Sequence, residues 1–288
     1  MSFLSSLGPM SFGLAASLLL LGCSDCTLCG KTFAEENCAA LPGSVVPSRL
    51  GTGTFTGQGT SSERYQTEFV SRNGVPYVLI TNGWGPKFES HTISWLGTSF
   101  SIDTMQGDAG DRGEPASYPS VFCGQYSVPE VPDCGLPAAI DSLSSIKTGM
   151  RWNCDPTENA GYNVAYDIWV GNGSQLQTFL MVWLRDPPRF SPAGSRKFTS
   201  VEVQGLPGRW HIVQGTVNGL PIVNWVRAEG QDLSELEFDV MDILRDAAAR
   251  GITYPGTHIN SVAIGFEVWQ GPVAGLAVSD FYVDVEKK

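Results

Sequence analysis

The chain has 288 residues, 42% of them hydrophobic and 16% charged, with a formal net charge of −11. This is enough apolar material for one large domain with its own core. The acidic balance, with no long basic run, excludes a phosphate-binding nucleic-acid surface, which needs clustered Lys and Arg. The three histidines, His91, His211 and His258, are scattered, so no His-based metal site is expected, and no cofactor is called for.

At the N-terminal end, residues 13–21 are apolar or small. The run is too short to span a bilayer and reads as the hydrophobic part of an export signal, although residues 1–12 contain no Lys or Arg. Leu20-Leu21-Gly22-Cys23 follows at once and resembles a bacterial lipobox. On that reading residues 1–22 are a lipoprotein-type signal peptide, Cys23 is lipidated, and the lipid anchors the protein to the outer membrane or cell surface. Ser24 agrees with this, because Asp there is the usual inner-membrane retention signal in the lipoproteins it resembles. The alternative is an ordinary cleaved signal, a secreted product and an unmodified Cys23.

Residues 23–50 are Cys-containing, then small and polar with prolines, and read as a tether. With Cys23 set aside, six cysteines remain: Cys26, Cys29, Cys38, Cys123, Cys134 and Cys154. An even number in an exported chain points to disulfides. Cys26-x-x-Cys29 with Cys38 can also be read as part of a zinc site, but a fourth ligand at a familiar spacing is missing.

From Thr52 onward, short alternating runs are separated by Gly, Pro, Asn and Asp. Strands are expected at Tyr77–Ile80, Val164–Val170, Phe179–Leu184, Val201–Val203, Trp210–Val213, Ile222–Val226, Val262–Val268 and Phe281–Val285. Arg72-Asn73-Gly74, Gly171-Asn172-Gly173 and Val217-Asn218-Gly219 are hairpin-type turn signals. One helix is expected over Asp239–Arg250, capped by Asp239 and stopped at Gly251, with Val240, Ile243, Leu244, Ala247 and Ala248 on its inner face. Many strands and one helix make residues 51–288 an all-β jelly-roll β-sandwich of two antiparallel sheets, with the helix on the convex side.

Strand parity adds a face. Alternate side chains point to opposite sides of a sheet. Tyr162, Val164, Tyr166 and Ile168 suit a core, as do Leu180, Val182 and Leu184, and Val262, Ile264, Phe266 and Val268. The opposite faces carry Asn163, Ala165, Asp167 and Trp169; Phe179, Met181 and Trp183; and Ala263, Gly265, Glu267 and Trp269. Carboxylates and tryptophans with few charged neighbours suit a sugar cleft: indoles stack on pyranose rings while Asn, Asp and Glu bond hydroxyls.

Five motifs in order resemble glycoside hydrolase family 12. They are Thr81-Asn82-Gly83-Trp84-Gly85, Tyr118-Pro119-Ser120-Val121, Tyr162–Trp169, Gln177–Leu184 and Phe266-Glu267-Val268-Trp269-Gln270-Gly271. The resemblance runs over residues 52–285 and implies a jelly roll with a concave cleft, as in retaining endo-β-1,4-glucanases and xyloglucanases. It makes Glu267 the general acid/base and Asp167 the carboxylate that tunes the nucleophile. Asn82, Trp84, Asn163, Met181, Trp183 and Trp269 become substrate-binding residues. It also implies a Cys123–Cys134 disulfide, since bacterial relatives carry a similar short bridge. The nucleophilic Glu, however, maps to Phe179.

A retaining mechanism needs two carboxylates roughly 5–5.5 Å apart. A phenyl ring cannot attack the anomeric carbon, and it removes charge that stabilises the transition state. Three readings follow: a surface-exposed β-1,4-glucan-binding protein disabled as an enzyme; a hydrolase using Glu267 as acid and Asp167 as water base; and a non-catalytic envelope interaction protein.

Overall fold

The computed structural model describes residues 38–39, 48–110, 114–126, 133–153, 161–228 and 232–288. The lipobox, Cys23, Cys26, Cys29 and Cys154 lie outside these residues, and only the backbone of Cys38 lies within them.

Two sheets make the sandwich. The smaller has six strands, in spatial order β18 (Glu235–Asp239), β10 (Leu143–Trp152), β21 (Leu276–Lys287), β7 (Ser99–Gly107), β6 (Phe88–Leu96) and β3 (Gln58–Ser61). The larger runs β14 (Ser195–Val203), β15 (Leu206–Val217), β16 (Leu220–Arg227), β13 (Leu176–Arg185), β12 (Val164–Gly171), β19 (His258–Gly265), β8 (Ser120–Gly124), β5 (Val75–Ile80), β4 (Thr67–Arg72) and β2 (Phe55–Thr56). A short strand, β9 (Ala138–Ala139), also pairs with β19. Two small ladders complete the set: β1 (Cys38–Ala39) with β17 (Asp232–Leu233), and β11 (Gly161–Tyr162) with β20 (Val268–Gln270).

The inner faces are those that alternation selects. Tyr162, Val164, Tyr166, Ile168, Leu180, Val182, Leu184, Val262, Ile264, Phe266 and Val268 all join one buried core. The Asn73-Gly74 and Asn218-Gly219 turns take positive φ at both residues (52° and 78°; 52° and 81°). That conformation matches the twist of a two-residue hairpin and favours Asn-Gly.

Both main sheets are antiparallel except at one junction, where β13 and β16 pair in parallel. Since β14–β15 and β15–β16 are antiparallel, β14 also runs the same way as β13. The connection 186–194 must therefore leave the end of β13 and return over the sheet to the start of β14, at the far edge. It forms a diagonal strap across one face.

Two expected strands are broken. The run through Val268 stops at Gly265 and resumes as β20; the run from Tyr162 is interrupted at Asn163. The breaks face each other, and Phe266 and Glu267 lie outside the ladder.

The helix, α1 (Val240–Ala249), buries Val240, Ile243, Leu244 and Ala247. Ala248 is exposed, contrary to expectation, because it lies past the edge of the apolar stripe. Asp246 is buried in its stead, accepting from Trp225 Nε1 at 2.8 Å and pairing with Arg250. Trp225 points to the core side of the large sheet, so the helix covers the convex end that the smaller sheet leaves bare. Residues 48–50, read as tether, are docked: Ser48 Oγ donates to Glu237 at 2.8 Å, and the Arg49 carbonyl accepts from Arg72, itself paired with buried Asp280 at 2.7 Å.

Cys123 and Cys134 are disulfide-bonded, with Cα atoms 5.8 Å apart. Replacing both with Ser is expected to cost about 2–4 kcal/mol, read from denaturant melts. Asp239 caps α1 through Met241 N at 2.9 Å and also accepts from Ile146 N at 3.0 Å. Asp239→Ala is expected to cost about 1–2 kcal/mol in the same assay, since it strips two backbone donors at once.

Candidate functional site

Register fixes which side chains share the outer face of the large sheet. One row crosses it through Phe69, Val78, Phe122, Ala263, Asp167, Met181, Asn224 and Val213. Asp167 is near the middle. Phe179 stands opposite Trp169 in the next row, diagonal to Asp167, and meets that indole edge-on at 5.9 Å. Glu267 lies on the other side of Asp167, beyond the end of β19. Asp167, Phe179 and Glu267 thus share one face, as strand parity requires.

Glu267 is held by the facing strand break. Its N–H donates to Asn163 Oδ1 at 3.0 Å, its carbonyl accepts from Asn163 N at 2.9 Å, and its Oε2 accepts from Asn163 Nδ2. Asn163 spends its backbone N–H and both ends of its amide on one residue. Asp167 Oδ2 accepts from Tyr126 OH at 3.0 Å and from Trp169 Nε1 at 2.9 Å.

These environments shift both acids upward. Burial raises the Glu267 carboxyl to about 8, with the Asp167 charge adding to it and the Asn163 bond opposing. Burial also lifts Asp167 to about 6, against the pull of Trp169 and Tyr126. Phe179 supplies no like charge that would help keep the Glu267 carboxyl protonated. Burial compensates, and the pKa raised to about 8 holds the Glu267 carboxyl toward its protonated form at neutral pH.

The large side chains of this face divide into two groups. Trp84 and Trp169 are half-buried, packed on Tyr118, Phe122 and Tyr126. Met181, Trp183 and Trp269 are on the same face but only 5%, 1% and 5% exposed. They pack with Phe190 from the strap, whose ring stacks on Trp269 at 5.3 Å and 25°. Asn82 adopts φ 46° in the turn before Trp84, and its carbonyl accepts from Tyr118 N at 3.0 Å.

Sequence reading missed several contributors. Ser120, Ser261 and Asn224 share the face by parity, and each has a buried oxygen with no hydrogen-bond partner among the described residues, as do Asp167 Oδ1 and Trp183 Nε1. Buried polar groups are normally paired, so five such atoms on one face point to a polar ligand or water. Alternation in β8, β16 and β19 could have found the first three. Tyr126 and Phe190 come from outside strands, where no period applies.

The sign of the pH response follows from the raised values. A carboxyl with a higher pKa folded than unfolded binds more protons in the native state, so stability falls as pH rises between the two values. For Glu267 that window is from its ordinary 4.5 to about 8, and for Asp167 from 3.8 to about 6. Thermal melts should therefore weaken from pH 4 to 8. Glu267→Gln should flatten the upper part of that decline and raise the Tm at pH 9 relative to wild type.

Comparison with known proteins agrees with this architecture. A sequence model of Glycosyl hydrolase family 12 matches residues 75–286. Among solved structures, the chain is similar to the endo-1,4-beta-glucanase CelB2, a cellulase, at 31% identity and TM-score 0.69, covering 79% of this chain and 99% of that one. It is similar to endoglucanase cel12A from Rhodothermus marinus at 29% identity and TM-score 0.68, covering 80% and 99%. A family 12 xyloglucanase from Bacillus licheniformis, at 20% identity and TM-score 0.65 over 79% and 100%, shares the fold. No curated protein sequence matches the chain. With the family's sequence model spanning most of the chain, and with the jelly roll and its carboxylate-bearing face in place, this protein belongs to glycosyl hydrolase family 12.

Proposed function

We propose that the chain is a β-1,4-glucan-binding protein of family 12 type whose hydrolytic chemistry is disabled at Phe179. The single observation behind this is the side chain at that position. Phe179 is on the cleft face, edge-on to Trp169 and diagonal to Asp167, where the family's Gln-Thr-Glu-Ile-Met-Ile-Trp strand carries its nucleophile. The acid half of a displacement is present in Glu267, and the attacking half is not. The half-exposed indoles of Trp84 and Trp169, with the unpaired polar atoms beside them, suit sugar rings and their hydroxyls. The Leu20–Cys23 motif supports export and a lipid anchor on Cys23, which would hold glucan at the outer membrane or cell surface.

A second reading has one observation in its favour. Asp167 keeps a buried, unpaired Oδ1 and a pKa raised to about 6, which suits a base acting on water. That reading makes the protein an inverting hydrolase and requires its two carboxyls to be roughly 6.5–9.5 Å apart.

Binding to cellulose, xyloglucan and mixed-linkage glucan, measured beside reducing-sugar release, separates these readings. Wild type is expected to bind without measurable release. Phe179→Glu is expected to gain release by orders of magnitude, as restoration of a nucleophile does. Robust wild-type release, abolished by Glu267→Gln or Asp167→Asn, would instead establish the water-base route. Absence of binding to every glucan would leave the envelope-interaction reading.

A further inference from the structure

The row of side chains that passes between the two carboxylates can be followed to the edge of the sheet. Along β12, Ala165 lies between Asn163 and Asp167; Gly265 ends β19 two residues after Ala263 and two before Glu267. Register joins these two to Ser120, Ile80 and Thr67 on β8, β5 and β4. The floor of this row is low. Ala165 and Gly265 carry almost no side chain, and Tyr118 lies in the room they leave. Its OH donates to the Ala165 carbonyl at 3.3 Å, and its Cε2 is 3.0 Å from where a Cβ on Gly265 would be. Ser120 Oγ, next in the row, is buried with no hydrogen-bond partner among the described residues.

On β4 the row ends at Thr67. Among the described residues, the exposed large hydrophobic side chains are Tyr65 and Phe69, 57% and 60% exposed. Each is two residues from Thr67, so alternation puts all three on the cleft face, with each ring about 7 Å from Thr67 along the strand. Phe69 stands opposite Val78, in the Asp167 row. At the other end, the β4–β5 pairing continues through Thr81 N to the Gln66 carbonyl at 3.0 Å and Gly83 N to the Arg64 carbonyl at 2.8 Å, which sets Tyr65 across from Asn82. Arg64 ties this end down, donating to the Gly83 and Gly85 carbonyls with its guanidinium 5.5 Å from the Tyr65 ring. The neighbouring strand β2 pairs with β4 at Ser71 and Arg72, short of Phe69.

Resting on the glucan-binding reading above, we infer that Phe69 is a binding residue for β-1,4-glucan, a ring at the edge of the cleft face that faces Tyr65 across Thr67 and receives a sugar several units from the carboxylates. From β12 to β4 there are four strand spacings of about 4.8 Å, or roughly 19 Å. A β-1,4-linked glucosyl unit advances about as far as one such spacing, so a chain lying along the row reaches Phe69 about four rings from Asp167. Aromatic faces take the apolar side of a pyranose ring, and the Thr67 hydroxyl between them suits its hydroxyls. A protein partner fits less well. Phe and Tyr bury about 150–250 Å² each, and the two together fall short of the roughly 800 Å² that each side of a stable protein interface contributes. The pair is of a size for a sugar chain, and it continues the row that runs between Asp167 and Glu267.

Calorimetric titration with cellotriose and cellohexaose tests this. Wild type should bind cellohexaose more tightly, because cellotriose held beside the carboxylates is too short to reach β4. Phe69→Ala should weaken cellohexaose about fivefold, the size of one lost ring contact, and leave cellotriose unchanged. Phe69→Trp, which offers a larger face, should match or exceed the wild-type affinity for cellohexaose. Phe69→Leu, apolar but without a ring face, serves as the test if the Ala variant does not fold. An unchanged cellohexaose affinity in Phe69→Ala, or an equal loss for both oligosaccharides, overturns the assignment while leaving glucan binding intact. A concentration-dependent wild-type dimer that Phe69→Ala abolishes, with sugar affinities unmoved, gives this face to a second copy of the chain and overturns it as well. Failure of wild type to bind either oligosaccharide overturns the assignment together with the binding function on which it rests.

Discussion

The site depends on the reciprocal bonding of Asn163 and Glu267. Two strands of the large sheet stop opposite each other, and the amide of one residue takes up what the other leaves open. An interrupted ladder inside a protein leaves backbone donors that must find partners. Here Asn163 supplies them, and in doing so fixes the Glu267 carboxyl at the edge of the cleft face. Any residue without both a donor and an acceptor on its side chain would leave part of this exchange unmade.

The same break governs the electrostatics. Leaving the ladder does not release Glu267 to solvent, and burial is the largest cause of its raised pKa. Asp167 is the nearest influence of like sign, and it is moderated by Tyr126 and Trp169. The two acids are unequal because one is held by a single amide and the other by two donors, a phenol and an indole. Separated proton affinities of this kind are how a site assigns one group to donate and another to stay charged. Phe179, diagonal to Asp167 on the same face, adds no third charge to the pair.

Beyond the break, β20 resumes with Trp269 and Gln270, which receive the strap. The strap exists because β13 and β16 run parallel, which obliges the chain to cross the face to reach β14. A topological requirement of the sheet thus lays a loop on the outer face, where Phe190 packs with Met181, Trp183 and Trp269.

Much of this was legible in the chain itself. Alternation in three runs separated core from cleft residues without error, because a half-buried strand enforces a period of two and one slipped residue would bury Asp167 in the core. The helix and its cap were legible for similar reasons, since Asp239 and Gly251 mark where backbone groups lose partners. The ordered motifs carried the family, and with it the Cys123–Cys134 pairing. What the sequence could not decide was anything made by contact between separate segments. The break at Asn163 and Glu267 interrupts runs that look continuous, because each residue is released only by the presence of the other. Trp269 reads as an open platform, yet it is covered by a phenyl group 79 positions away in a proline-rich loop with no period to follow. Local propensity and pattern describe single elements; coverage, protonation and exposure are properties of the space between them, and only the folded arrangement sets those.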